Sequence, residues 1–216
     1  MAWVAETTFE DNSVATLNGQ SGGTGWSGDW GSAGSFNPGN TFVQSTTAYQ
    51  GSKATLNSGG VSAIYRILAV PIGTSDTGVI YIALRRSSAT GTDENNASWR
   101  NSGDQSRFNI ALMSNGHINL GSGAGLVDLG TYSANTWYVF RLTYDMGAGR
   151  VTAAYSTDAY GTAGIWSAES TPFTLINSGA IDHIDLNGGD SNTGYYDYIS
   201  GVSPFSSKKE SMFLVF

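Results

Sequence analysis

The feature that most constrains the fold is a pair of alternating segments joined by a short glycine-containing turn. In TWYVFRLTYD (136–145), large apolar side chains recur at every second position. Successive side chains of a β-strand point to opposite faces, so this pattern predicts a strand with one face in a core. The core-facing set is Tyr138, Phe140, Leu142 and Tyr144. RVTAAYST (150–157) follows after a Met-Gly-Ala-Gly turn, and the two segments therefore predict an antiparallel hairpin.

Short segments of this kind recur along the chain, separated by Gly, Asn, Ser and Asp. The strongest are VSAIYRILAV (61–70) and GVIYIALRRS (78–87), whose near-continuous apolar character predicts central strands. WVAETTFED (3–11) is predicted to be the first strand. The glycine-rich residues 14–40 are predicted to be irregular, and the polar residues 87–106 a long loop.

This arrangement predicts an all-β fold. Because no crossover helix or internal repeat is visible, the many strands favour a two-sheet antiparallel jelly-roll sandwich. The length suits one jelly-roll domain over residues 1–205. Residues 206–216 form a C-terminal tail of different composition, with two lysines followed by an apolar run. The tail is either an unstructured terminus or a strand through which the chain forms a homo-oligomer.

Composition excludes several classes of protein. The net charge of −7 argues against a nucleic-acid partner, which needs a basic surface. No apolar run approaches the roughly 18 residues of a membrane span, so membrane insertion is not expected. The absence of cysteine excludes disulfides and thiolate metal sites. The low charge and the abundance of small polar residues suit an extracellular, secreted or cell-surface protein.

Five ordered segments carry a family resemblance. They are FED (9–11), GQSGGTGWSGDW (19–30), YQGSKA (49–54), the hairpin 136–157, and YYDYISGV (195–202). Together they resemble bacterial secreted domains of the concanavalin A-like, laminin-G-like superfamily, over most of residues 3–205. The resemblance implies a jelly-roll sandwich whose role is glycan binding or adhesion.

The resemblance also implies a structural Ca²⁺ where the first and last strands meet. Carried onto this sequence, its ligands are Glu10 or Asp11, the carbonyl of Gly51, and Asp197. Asp197 lies between two tyrosines in an apolar strand, where an unpaired buried carboxylate would be costly. The alternative is that Asp197 faces solvent or pairs with an arginine. Asp182, Asp185 and Asp190 form a second acidic group, which is better interpreted as solvated strand and turn residues.

Glycan binding requires exposed aromatic rings and polar side chains near them. The strongest ring candidate is Trp99, because its neighbours in sequence are polar. The full set of candidate ligand-binding residues is Trp99, Arg100, Asn101, Asp104, Trp26 and Trp30, with Tyr132 and Trp166 as further rings. The alternative is that these aromatic side chains fill the core of the sandwich.

No catalytic motif is evident. Retaining glucanases on this fold carry E-x-D-x-x-E on one strand, and that spacing is absent. We therefore expect a non-catalytic glycan-binding or adhesion module. A structural assembly subunit, such as a fibre, coat or decoration protein, is the first alternative. A polysaccharide lyase or glycoside hydrolase is the second.

Overall fold

The computed structural model describes residues 3, 5–32, 38–57, 62–91, 94–122, 125–188 and 193–205. These residues form fourteen strands and one short 3-10 turn, Pro38–Asn40. The strands are β1 Trp26–Ser32, β2 Thr41–Gln44, β3 Ala54–Asn57, β4 Ser62–Ile72, β5 Thr77–Arg86, β6 Asn95–Arg100, β7 Ser106–Leu112, β8 His117–Ser122, β9 Gly125–Thr131, β10 Trp137–Asp145, β11 Arg150–Ser156, β12 Phe173–Thr174, β13 Ile181–Gly188 and β14 Gly194–Ser200. Within this described part, no helix has the length and apolar character needed to cross a membrane.

The strands form two sheets of seven strands each. The first sheet has the order β1-β4-β13-β6-β7-β8-β9, and the second has the order β12-β11-β10-β5-β14-β3-β2. Neighbouring strands pair antiparallel throughout both sheets. This confirms the predicted all-β fold with two antiparallel sheets.

The two sheets enclose the main core. The alternation predicted for 136–145 is confirmed in β10, whose Tyr138, Phe140, Leu142 and Tyr144 are all buried there. A smaller apolar cluster lies on the opposite side of the second sheet, around Ala83 and Val139, which alternate with core residues. We call this group the outer cluster; its members are Ala83, Val139, Tyr198 and Phe205, with Tyr49, Tyr81, Trp137 and Trp166 packed against them.

Three of the predicted segment assignments are wrong. Residues 87–106 contain β6, which lies in the middle of the first sheet. The glycine-rich segment 14–40 contains β1. In the described part of residues 3–11, the backbone makes isolated bridges instead of a regular strand, at Glu6–Thr24 and Thr7–Ile199.

The beginning and the end of the domain lie side by side, as the resemblance implies. Thr7 N–H donates to Ile199 O at 2.8 Å, and Ile199 N–H donates back to Thr7 O at 2.9 Å. This pairing brings the segment around Glu10 towards β14. Residues 206–216 lie outside the described residues, so the tail and the domain boundary at residue 205 remain predictions.

Candidate functional site

The outward surface of the first sheet, which we call the first face, carries an unusual set of polar side chains. On β13, Ile184 and Leu186 are in the main core, so His183 and Asp185 lie on the opposite side of the sheet. The register places Asp185 between Tyr65 of β4 and Ser98 of β6. It places His183 opposite Arg100.

Asp185 is the most buried acid of this surface. Its residue is 2% exposed, and its Oδ2 lies 2.6 Å from Nε of Arg100 in an ion pair. Its Oδ1 lies 3.6 Å from Nε2 of His183 and has no hydrogen-bond partner among the described residues. Burial raises the pKa of Asp185 to about 6; Arg100 and His183 oppose this shift, and Asp104 adds to it.

Asp104, in the turn between β6 and β7, approaches the same histidine, His183. Its side chain is 65% exposed, and its Oδ1 lies 3.5 Å from Nε2 of His183. Arg100 Nη1 donates to the main-chain oxygen of Asp104 at 2.8 Å and lies 3.2 Å from its Oδ1. The guanidinium of Arg100 therefore bridges the two aspartates.

Asn101 fixes the turn that carries Asp104. Its Oδ1 accepts the N–H groups of Gly103 at 3.1 Å and Gln105 at 2.9 Å. Its Nδ2 donates to the carbonyl of Ser178 at 2.8 Å, just before β13 begins. Asn101 therefore ties the turn to the strand that carries His183 and Asp185.

His183 is oriented by contacts on two sides. Its Nδ1 lies 3.3 Å from Oδ2 of Asp182, and its ring meets the ring of Tyr65 edge-on at 5.6 Å between centroids. Its Nε2 faces the two other aspartates. One ligand atom each from Asp104, His183 and Asp185 lie within 4.8 Å of one another, so these three residues could hold a metal ion.

The predicted polar residues converge, but the predicted rings do not. Arg100, Asn101 and Asp104 lie together at one end of the first face. Trp99 is 0% exposed and stacks on Phe108 with ring centroids 4.9 Å apart. The prediction that Trp99 is an exposed sugar-binding ring is therefore wrong, because alternation along β6 turns it into the core.

Trp26 and Trp30 have a structural role. Trp30 is buried in the core, and Trp26 is partly buried against it. Their rings lie 5.4 and 5.7 Å from the guanidinium of Arg66, which also donates to the carbonyl of Gly28 at 3.0 Å. The prediction of an exposed ligand-binding ring is wrong for Trp30, which is 1% exposed, whereas ligand binding by the partly buried Trp26 stays a prediction.

Tyr65, His183 and Asp185 are site residues that the sequence predictions missed or placed elsewhere. Asp185 was expected to be solvated, yet it is almost fully buried. The available signal is the spacing in IDHIDLNG (181–188), where polar side chains occupy alternate positions of an otherwise apolar strand. Asp190, the third member of the predicted acidic group, lies outside the described residues.

Asp197 and Glu10 converge on one turn, as the calcium prediction requires. Asp197 is 0% exposed; its Oδ2 accepts the N–H groups of Tyr49 and Gln50, each at 2.9 Å, and its Oδ1 accepts the N–H of Tyr198 at 2.7 Å. Glu10 Oε1 accepts the N–H of Ser52 at 2.8 Å. Asp197 therefore does not face solvent, and among the described residues its partners are backbone N–H groups and not an arginine.

Gly51 lies between these acids. Its φ of +65° favours glycine, and a Cβ there would lie 2.6 Å from Oε1 of Glu10. Lys53 Nζ donates to the main-chain oxygens of Glu10 at 2.7 Å and Asn12 at 2.8 Å. Asp11 instead accepts the N–H of Gly23, at 3.4 Å.

The charge at this junction is only partly balanced. Burial is the main reason that the pKa of Asp197 is raised to about 8, and the nearby Glu10 adds to the shift, while three backbone N–H groups oppose it. The pKa of Glu10 is lowered, because hydrogen bonds from Lys53 and Ser52 outweigh the effect of its burial. A cation beside Asp197 would fit this donor set, with Asp197 as the anionic ligand.

Comparison with solved structures finds the same architecture in carbohydrate-active and carbohydrate-binding proteins. The catalytic domain of a glycoside hydrolase family 131 protein from Coprinopsis cinerea matches with a TM-score of 0.60 and 10% identity, over 96% of this chain and 99% of that chain. Lectin II from Ulex europaeus matches with a TM-score of 0.50 and 11% identity, over 76% and 92%. A sialidase matches with a TM-score of 0.53 and 10% identity, over 79% of this chain and only 17% of its own length.

No protein-family model and no curated protein matches the sequence. At these identities the structural likenesses show the fold alone. The chain is a two-sheet antiparallel jelly-roll sandwich, the fold that it shares with these structures.

Proposed function

We propose that this protein binds carbohydrate through the first face, without catalysis. The observation that carries the proposal is Asp185, a nearly fully buried carboxylate with one oxygen unpartnered among the described residues, beside the half-buried ring of Tyr65. Binding sites combine an apolar or aromatic surface with a few fixed polar groups, and this part of the first face has both.

The polar groups suit hydroxyl ligands. A sugar hydroxyl both donates and accepts hydrogen bonds. Asp104, whose side chain is 65% exposed, would accept from one hydroxyl, and Arg100, whose side chain is 24% exposed, would donate to another. Two residues after Asp185 on the same strand, Asn187 Nδ2 donates to Asn96 Oδ1 at 3.0 Å, and this pair adds fixed amide groups to the first face. The lectin among the structural matches supports this interpretation at the level of fold.

A glycan array with purified variants tests the proposal. We expect the wild type to bind and Tyr65→Ala to lose at least tenfold in affinity, about 1.4 kcal/mol, because the ring beside Asp185 is removed. Tyr195→Ala is the matched control, since Tyr195 is also half-buried but lies on the second sheet under Arg85.

Three outcomes would contradict the proposal. Absence of binding to any glycan would remove the function. Loss of binding in Tyr195→Ala alone would move the site to the second sheet. Release of sugar products by the wild type, abolished in Asp185→Asn, would replace binding by hydrolysis.

One observation favours hydrolysis as the second candidate function. Asp104 and Asp185 have carboxylate oxygens within 4.8 Å of each other.

The structural Ca²⁺ at the strand junction is part of this proposal. Asp197 would supply the charged ligand and the Gly51 carbonyl a neutral one, since Ca²⁺ prefers oxygen ligands. The Glu10 carboxylate already accepts three hydrogen bonds from Ser52 and Lys53. An extracellular location, and a homo-oligomer formed through residues 206–216, are proposed from composition alone.

A further inference from the structure

We propose that Asp104, His183 and Asp185 form a binding site for a divalent transition-metal ion of the Zn²⁺ type. This site is separate from the calcium proposed at the strand junction, and it does not rest on carbohydrate binding. Imidazole and carboxylate together suit Zn²⁺, whereas Ca²⁺ takes oxygen ligands.

The spacing of the three donor atoms fits such an ion. Nε2 of His183 lies 3.5 Å from Oδ1 of Asp104 and 3.6 Å from Oδ1 of Asp185. Four-coordinate zinc has bonds of about 2.0–2.1 Å, which places its ligand atoms roughly 3.3–3.4 Å apart. Each of these two distances would therefore need to shorten by only a few tenths of an ångström for the atoms to bind one zinc ion.

The second observation is the unpartnered oxygen of Asp185. Its Oδ1 belongs to a residue that is 2% exposed, and it has no hydrogen-bond partner within the described chain. A buried polar atom without a partner is costly. Nε2 of His183 lies 3.6 Å from this oxygen, so a metal ion between them would satisfy both atoms.

Neighbouring residues orient His183 for metal binding. Oδ2 of Asp182 lies 3.3 Å from Nδ1 of His183, which favours the proton on Nδ1 and leaves the Nε2 lone pair facing the site. Metal-binding histidines commonly hold such a carboxylate on their other nitrogen. Asn101 fixes the turn of Asp104 against the segment before β13.

The charge of the cluster also favours a divalent cation. Asp104, Asp182 and Asp185 contribute three negative charges; Arg100 contacts Asp104 and Asp185, and Asp182 contacts His183. With a neutral His183 the cluster carries two negative charges. Arg100 contacts Oδ2 of Asp185 through its Nε, so the Oδ1 that faces His183 remains free for the ion.

Three protein ligands leave one tetrahedral position open. Because Asp104 is 65% exposed, this position is reached from solvent on the first face. Sites with an open position bind water or an oxygen ligand there. The metal would therefore present its free coordination position to any hydroxyl compound on this surface.

Isothermal titration of the untagged chain with ZnCl₂ tests the inference. We expect one site with micromolar or tighter affinity, and at least a tenfold loss in Asp104→Asn and in His183→Gln. Asp104→Asn is the decisive variant, because its exposed side chain can change without disturbing the fold. Asp128→Asn and His117→Gln are matched controls, since His117 and Asp128 form a surface pair at 2.8 Å on the same sheet.

The controls separate the possible outcomes. Unchanged zinc affinity in Asp128→Asn, His117→Gln and Asp197→Asn would support the assignment. Absence of zinc binding in the wild type would overturn it, as would zinc binding that survives Asp104→Asn. Glycan binding measured with and without a chelator is an independent readout, so failure of the metal site and failure of the proposed function are distinguishable.

Discussion

Strands β13 and β14 are consecutive in the chain but lie in opposite sheets, and each carries a buried aspartate on its outward side. Asp185 on β13 pairs with side chains, and one of its oxygens has no partner among the described residues. Asp197 on β14 accepts three backbone N–H groups. Burial is almost the same for both, so the two aspartates differ in the kind of partner, which is side chains at Asp185 and the backbone of a turn at Asp197.

The two outward surfaces differ in the same way. The second sheet is covered by the chain itself around Ala83 and Val139, because Phe205 packs on Trp166 at 5.1 Å and both belong to or line the outer cluster. The first face carries Tyr65, Arg100 and Asp104 without such an apolar cover in the described structure. The proposed binding site lies on the face that has no such apolar cover among the described residues.

The largest expected effect is that of Trp99→Ala, which removes the support beneath the first face. Trp99 is fully buried and stacked on Phe108, so the loss of apolar contacts should destabilise the fold by about 3–5 kcal/mol. Chemical denaturation measures this loss. A stable variant that has lost only glycan binding would show that Trp99 is a ligand-contacting ring after all.

A smaller effect is expected from uncovering the second sheet. Phe205 is 9% exposed in the outer cluster, and Phe205→Ala should cost about 3 kcal/mol. Tyr65→Ala on the open face should cost about 1 kcal/mol or less, because its ring is only half-buried. Equal losses by thermal or urea unfolding would mean that the two faces are covered alike.

The third effect depends on pH and concerns Asp197, and over a single pH unit it is smaller than the loss expected for Phe205→Ala. Its pKa is raised to about 8 in the fold, so the folded state binds a proton that the unfolded state releases. With a chelator present, the free energy of unfolding should therefore decrease as the pH rises from about 5 to about 8, by at most about 1.4 kcal/mol per pH unit.

The same measurement on Asp197→Asn and with added Ca²⁺ sharpens this prediction. The variant lacks the titrating group, so its stability should lose this pH dependence. Ca²⁺ should stabilise the wild type most at pH 8, where the carboxylate is ionised, and should not stabilise Asp197→Asn. A wild type whose stability is flat across this range in chelator would show that the backbone N–H groups alone balance the charge.

The strands were predictable where one face is apolar and the turn is local. The β10–β11 hairpin has its predicted alternation, with Tyr144 opposite Val151 across the turn. The sequence around Trp99 led to the wrong prediction of an exposed ring, because Ser98 and Arg100 are its polar neighbours along the chain but lie on the opposite side of the strand. Local composition averages the two faces of a strand, and only the position of the second sheet decides which face is buried.

The candidate site itself was predictable only in part. Arg100, Asn101 and Asp104 are close in sequence, and the structure places them in one hydrogen-bonded turn. His183 and Asp185 join them through the pairing of β13 with β6, which connects segments far apart in the chain. Sequence spacing contains no information on that long-range register, so the grouping of Asp104, His183 and Asp185 became visible only in the fold.

The reciprocal bonds between Thr7 and Ile199 have a mechanical consequence. The strands run antiparallel, so the flanking segments leave the pair on the same side, and the carbonyl of Trp3 indeed lies close to Gly201. Tension applied through these two segments would unzip the junction one bond at a time instead of shearing it. If the domain were part of a longer polypeptide, force applied at both of its ends would act first on the hydrogen bonds between Thr7 and Ile199.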